Sequence, residues 1–432
     1  MIAAEWGFSQ KLCVFAGGTI LRYPVDGLQL DNVKDGLTKR EEAALGYFST
    51  FDLIIIGSYF SALVGLGLYL KKRASASLED YFLGGKQLPW YFLGISGMAW
   101  SLDVAGTVLI VSLLFILGPR GLFIEFRGGA NLILIFMMLW TGKWHRRSGC
   151  MTVAEWNIFR FGSGWTGQAA RMMTAVALVS FLVGMLGYLV KGVGVFLSTF
   201  IDLPPVYCSL ILVVIATIYT VMSGFYGVVF TDVFQSGIIL SAVIGITVMA
   251  AMQVAGYDGS LAELAANVTG NAKWVSSVPH IHTNMPPGYE NYEPLALLTG
   301  FYLLRVVMAG ISSGEDQRYF GARNDRECGL LTFLWSNLMM FRWPMMMGFA
   351  VLGLFLVNDL FPDQAMVTEA STLVKEHLSD VPEERWGDAV AGVISNPGQY
   401  PELVSELKTL FQEDWTNKLK MVSYHGTVNP EK

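Results

Sequence analysis

Ser223-Gly224-Phe225-Tyr226-Gly227-Val228-Val229-Phe230-Thr231-Asp232-Val233-Phe234-Gln235 is a polar, glycine-bearing stretch between two apolar windows, 206–222 and 234–254. A helix rising about 1.5 Å per residue needs about 20 apolar residues to cross about 30 Å of hydrocarbon. Each window is close to one span, and the stretch reads as the hinge where two spans meet. Asp232 is its single acid. A carboxylate there is costly to desolvate and is expected beside a water-filled path or paired with a cation. The alternative is a first-turn aspartate stabilised by the positive end of the following helix, with Thr231 as its cap. Both readings stand at this level.

On either side of this stretch, six further windows have the length and polarity of spans: 51–70, 91–117, 129–142, 172–200, 295–317 and 329–357. Together they predict an all-α polytopic membrane protein. Composition agrees, since 53% hydrophobic and only 15% charged residues, with mean hydropathy +0.47, do not suit a soluble globule of 432 residues. The formal charge of −6 is concentrated at one end, because 358–432 carries 13 Asp and Glu against 6 Lys and Arg. The apolar part is therefore near neutral, and nucleic acid is not an expected partner. The 4 cysteines, Cys13, Cys150, Cys208 and Cys328, show no C-x-x-C spacing. His280-x-His282 lacks a third fixed ligand, so neither feature argues for zinc. P-loop, G-x-S-x-G and H-E-x-x-H patterns do not occur, so no enzyme chemistry is indicated.

Basic residues in short loops tend to remain cytoplasmic. Lys71-Lys72-Arg73, Lys143 with Arg146-Arg147, and Arg318 with Arg323 and Arg326 alternate correctly if the N-terminus is outside. The Thr231-Asp232 hinge then faces the cytoplasm, and the 255–293 loop and everything after about 358 lie outside. Arg120 and Arg127 fall on the opposite side of this scheme. Three regions follow: a non-membrane segment 1–46, expected to be poorly ordered; a core at 47–357 with about eight membrane helices; and an acidic extracellular helical segment at 358–432.

Two spans are interrupted by small and polar residues. The second runs Gly94-Ile95-Ser96-Gly97-Met98-Ala99-Trp100-Ser101-Leu102-Asp103-Val104-Ala105-Gly106-Thr107, and the seventh runs from Arg305 through Met308, Gly310, Ser312, Ser313 and Gly314 to Arg318. Non-helical backbone at membrane depth is tolerated only where protein or a water-filled cavity satisfies its polar groups. Paired broken helices in corresponding positions point to a transporter site, and the spacing lets span two open one five-helix repeat and span seven the next.

Three motifs taken together resemble the sodium:solute symporter family: Asp80-Tyr81-Phe82-Leu83-Gly84-Gly85-Lys86-Gln87-Leu88-Pro89-Trp90, the Ser223–Gln235 stretch, and Gln317-Arg318-Tyr319-Phe320-Gly321-Ala322-Arg323-Asn324-Asp325. The likeness runs from about Phe51 to Val357. It implies a LeuT-type inverted-repeat core with an extra N-terminal helix. Spans two to eight would be core helices 1 to 7, and core helices 8 to 10 would be missing, leaving the second repeat incomplete. Because the family takes sodium ligands from core helix 8, the chain reads as a fragment or truncated product, expected to be poorly stable and transport-incompetent alone.

The resemblance also implies roles for single residues. The Ser101 and Val104 carbonyls match sodium-coordinating positions, with Asp103 inside that turn, and Asp232 falls on the sodium path to the cytoplasm. Trp100, Asn131, Arg305, Met308 and Ser312 fall at or near solute-binding positions, Met308 replacing a gating tyrosine of the sugar carriers. Each has a plainer reading: a Gly-rich packing kink for 101–104, a structural ion pair or snorkelling for Arg305, helix–helix hydrogen bonding for Asn131, and packing for Trp100.

The implied function is sodium-coupled secondary active symport of a small polar organic solute (sugar, amino acid or carboxylate) by a multi-pass protein of the cell (inner) membrane. Its expected partners are the sodium ion, the solute and the lipid bilayer. A symporter-like membrane sensor and a non-transporting pseudo-carrier are the alternatives. The solute, the oligomeric state and the choice between sodium and a proton carried by Asp103 are left open.

Overall fold

The computed structural model describes residues 50–125, 130–198, 200–201, 203–283, 285, 290–311, 317–361, 364–378, 381, 386–412, 415–416 and 418–419. Of the first 49 residues it describes the backbone of Cys13–Ala16 and Thr19–Arg22, which pair as an antiparallel hairpin. The expected disorder of the rest of 1–46 lies outside the described residues.

Helix α1, Thr50–Ala74, occupies the first apolar window and ends on Lys71, Lys72 and Arg73. The second window forms two half-helices, α2 (Trp90–Trp100) and α3 (Val104–Leu117), separated by Ser101–Asp103. The third window begins as α4, Ala130–Phe136, passes through a π-turn at Met137–Thr141 and continues as α5, Gly142–Ser148. Helix α6, Trp165–Ser198, covers the fourth window. The hinge windows form one long run, α7, Pro205–Ala255. At 51 residues it would extend about 77 Å, more than two hydrocarbon thicknesses, so it must be two spans. They separate at one residue, Gly224, whose φ of 53° and ψ of −148° are non-helical. Only glycine adopts this conformation cheaply, and a Cβ there would lie 2.6 Å from the Tyr81 carbonyl oxygen.

After α8 (Leu261–Thr269) comes α9, Leu295–Ile311, so the first part of the interruption expected between Arg305 and Arg318 is continuous helix as far as Ile311, while 312–316, with Ser312, lies outside the described residues. The eighth window becomes α10 (Asp325–Met340) and α11 (Arg342–Leu360), joined at Phe341. Pro344 accounts for the division, since it lacks an N–H to donate to the carbonyl four residues back. Helices α12 (Gln364–His377), α13 (Trp386–Ser395) and α14 (Pro401–Phe411) gather around Leu403, Leu407, Phe411, Ala370 and Val374 as a separate small core.

The half-helix α2 lies at the centre, packed on α7 and α10, while α3 packs on α11 and α6, and α1 lies along α7. The main core joins Leu93 and Met98 of α2 to Tyr226 and Val229 of α7, Tyr319, and Leu331, Trp335 and Met339 of α10. By contrast, α6 buries only Gly167 and Gly194, so its apolar side chains are left for lipid. Five helices among the described residues are long and apolar enough to cross a membrane, and Leu295–Met308 is a shorter apolar one. Arg120, misplaced by the loop-charge rule, is buried and donates to Asn271 Oδ1 at 3.1 Å. That rule concerns solvated loops, and this guanidinium belongs to the packing of the 256–283 segment against the end of α3.

Candidate functional site

The three sequence motifs meet at one end of α2. Ser77 caps the short helix Leu78–Leu83, accepting from the Asp80 N–H, and Gly84, Gly85 and Lys86 then turn the chain through positive φ to Pro89, where α2 starts. Tyr81 donates its hydroxyl to the Val221 carbonyl at 3.1 Å, directly beside the Gly224 break. Gln317 donates to the Phe82 and Met151 carbonyls, and Arg323 donates to the Gln87 carbonyl at 2.9 Å. Each motif thus supplies part of one contact region.

Inside that region lies a buried polar lock. Arg318 Nη2 stands 3.3 Å from Asp232 Oδ2, with side chains only 8% and 16% exposed. Ser96 joins them, donating to Asp232 Oδ2 at 2.5 Å and accepting from Arg318 Nε at 3.0 Å and Nη2 at 2.8 Å. The Ser96 carbonyl takes a further bond from Arg318 Nη2 at 3.1 Å. The guanidinium also lies over the Trp335 ring, 5.7 Å from its centroid. The lock ties α2, the second half of α7 and the segment after α9, three elements brought together only by tertiary packing.

Two readings of the hinge are corrected here. Asp232 is not in a first turn, because the helix resumes at Phe225 and Asp232 lies two turns further on. Thr231 is not a cap, since its hydroxyl donates back to the Val228 carbonyl at 2.9 Å. The pairing with a cation is what the geometry contains.

The other end of α2 is the break. The bonds of α2 finish with Leu102 N–H on the Ala99 carbonyl, and those of α3 begin with Thr107 N–H on the Asp103 carbonyl. Asp103 has extended backbone and caps α3, its Oδ1 accepting from Gly106 N–H at 2.5 Å. Ser101 is held by its neighbours in α10 and α11: Trp335 Nε1 donates to its hydroxyl at 3.1 Å, and Arg342 Nη1 donates to its carbonyl at 3.4 Å. Trp335 therefore touches both the lock and the break.

The other sequence candidates are placed as follows. Trp100 is exposed at the end of α2, and Val104 opens α3 half-exposed. Arg305 and Met308 lie on an exposed face of α9, Met308 being 60% exposed. Asn131 is in the first turn of α4, with its side chain outside the described set. Ser96, Arg318, Trp335 and Arg342 are the residues that sequence reading passed over. Arg342 carries a signal, being a charge in the middle of the 329–357 apolar window, whereas Arg318 stands in the interrupted seventh span and the third motif with nothing in the sequence to name its partner.

A helix broken at mid-span, with its ends held by buried polar groups, is the architecture of a multi-pass membrane carrier. The sodium:solute symporter family profile matches residues 81–372, and the chain belongs to that family, whose members are transporters of the cell membrane rather than enzymes. It is 28% identical over 292 residues to the sodium/glucose cotransporter of Vibrio parahaemolyticus, covering 65% of this chain and 50% of that protein. It is 25% identical over 217 residues to the sodium/sialic acid symporter NanT of Aliivibrio fischeri, covering 50% of this chain and 41% of that one. The chain thus spans about half the length of the curated relatives it matches. A solved Na+-coupled sialic acid symporter, in a substrate-bound outward-open state, superposes with a TM-score of 0.54 over 89% of this chain and 70% of that one, at 16% identity. This likeness supports a shared fold.

Proposed function

We propose that the protein is a sodium-coupled symporter that carries a small polar organic solute into the cell, on a LeuT-type inverted-repeat core. The observation that carries the reading is the Ser101–Asp103 break, flanked on one side by the Asp232–Arg318–Ser96 lock and on the other by α3. Sodium is a hard cation and takes oxygen ligands, which a broken helix offers as backbone carbonyls. The Ser101 and Val104 carbonyls and the second Asp103 oxygen, Oδ2, are the ligands in this reading. Asp232 lies toward the cytoplasm, where a closed lock keeps the path shut and an opened one exposes a carboxylate to the departing ion. Trp100, Asn131, Arg305, Met308 and Ser312 remain the solute-binding proposals.

Ion binding at the break would favour the state that binds solute better, a coupling free energy between two sites, and rocking of the bundle would then expose both to the cytoplasm. The experiment is uptake of labelled sugars, amino acids and carboxylates into vesicles bearing the full-length gene product, under sodium, proton or no gradient. Accumulation that needs inward sodium and is lost in Asp103→Ala is the expected result. Correctly oriented, folded protein that accumulates no solute under any gradient would replace this reading with the membrane sensor or the pseudo-carrier.

A further inference from the structure

The carbonyl end of a helix carries partial negative charge, so the free end of α2 at the break is a natural seat for a cation. A cation of the chain itself is already there. Arg342 begins α11 at the Phe341 junction, is 9% exposed, and directs Nη1 to the Ser101 carbonyl at 3.4 Å. Its guanidinium also lies over the Trp343 ring, 4.8 Å from the centroid. Arg342 and Trp335 lie on either side of the Pro344-associated junction and grip the same serine, one at the carbonyl and the other at the hydroxyl. Trp335 in turn carries the Arg318 guanidinium of the lock on its face.

We propose that Arg342 is an internal competitor for sodium at the break: its guanidinium stands in for the ion at the Ser101 carbonyl, and sodium binds there only as Arg342 withdraws. This rests on the symporter reading and specifies how its ion site is regulated. Two positive charges cannot share one carbonyl at hydrogen-bond distance in a low-dielectric interior without strong repulsion, so occupancy is exclusive. The hinge supplies the means of withdrawal, because the Pro344 gap leaves the junction between α10 and α11 without one of its helical bonds. Arg342 therefore sets the sodium affinity of the empty carrier and keeps the α2 terminus neutralised when no ion is bound.

The test is direct binding of radioactive sodium to the purified full-length gene product at constant ionic strength with choline, comparing wild type, Arg342→Met and Arg342→Lys. Arg342→Met keeps much of the length of the side chain and removes its charge. It should tighten sodium binding by about 10- to 100-fold, the range expected for release of one charge-assisted hydrogen bond. Arg342→Lys keeps a cation and should stay within a few fold of wild type. Size-exclusion elution of all three proteins at the wild-type volume shows that they are folded. Unchanged or weaker binding in folded Arg342→Met overturns the proposal, as does equal tightening in Arg342→Lys, which would make shape rather than charge the cause. Sodium binding that appears only in Arg342→Met supports the internal competitor while removing sodium coupling from the wild-type protein. Absence of binding in all three overturns both readings.

Discussion

At the scale of single residues, burial decides what the charges do. Asp232 is paired with Arg318, and the two are mostly shielded from water. Removing one partner of such a pair costs more than the pair is worth, because the other charge keeps its desolvation penalty. Asp232→Ala should lower stability by about 3 kcal/mol, read as a fall in thermal midpoint, and by more than Ser96→Ala, which removes only a hydroxyl. Equal midpoints for Asp232→Ala and wild type would show that the lock contributes nothing to stability. His145, beyond the third apolar window, gives a second residue-scale case. Its ring is stacked on Phe320 at 4.8 Å and meets Trp156 edge-on at 5.1 Å, and neither ring nitrogen has a hydrogen-bond partner among the described residues. Burial pushes its pKa down to about 4. The folded-state pKa lies below the unfolded value of about 6.5, so its stabilising contribution is complete above about 6.5 and is lost as pH falls toward 4. A loss of about 2 kcal/mol by about pH 5 is expected, and His145→Phe should flatten the pH dependence of the thermal midpoint over that window.

At the scale of elements, close approach between helices holds the break in place. Gly94 and Gly97 let α2 lie against α10: a Cβ on Gly94 would stand 2.8 Å from the Leu331 carbonyl oxygen, and one on Gly97 would stand 2.4 Å from the Trp335 ring. These two glycines were legible in the sequence as small residues in an interrupted span, but not their partner, since helical spacing identifies a face without saying what meets it. Gly97→Ala should push Trp335 off the Ser101 hydroxyl and cost about 1–3 kcal/mol by overpacking. The expected readouts are a lowered thermal midpoint and a shifted tryptophan emission. Gly65, where an added Cβ would meet nothing within 4 Å, should accept alanine without either change and serves as the control.

At the scale of the whole molecule, lipid is the solvent for much of the surface. Helix α6 exposes Val176, Val179, Phe181, Leu182 and Val183 along its middle, an arrangement that in water would be an aggregation surface. A charge there meets hydrocarbon. Val179→Asp should therefore disfavour insertion by about 2.5–3.5 kcal/mol on the biological insertion scale, measured by glycosylation mapping of α6. Insertion unchanged by that substitution would place this face against protein instead of lipid.

The apolar windows, the broken second span and a glycine-bearing hinge within Ser223–Gln235 were determined by the sequence itself, whereas the break at Gly224, rather than at Gly227 or Thr231-Asp232, is seen only in the structure. Hydropathy over about 20 residues and the conformational freedom of glycine are properties of a short stretch of chain and need no partner to be read. The partner of Asp232 and the cation at the break were decided only by the tertiary structure. Ser96 and Arg318 are 222 positions apart, and Arg342 and Ser101 are 241 apart. Arg305 and Arg342 look equivalent as arginines inside apolar windows, yet one is exposed on α9 and the other is buried against α2. The difference is the rotation of each helix about its own axis, which is set by packing against its neighbours and leaves no mark in composition or spacing.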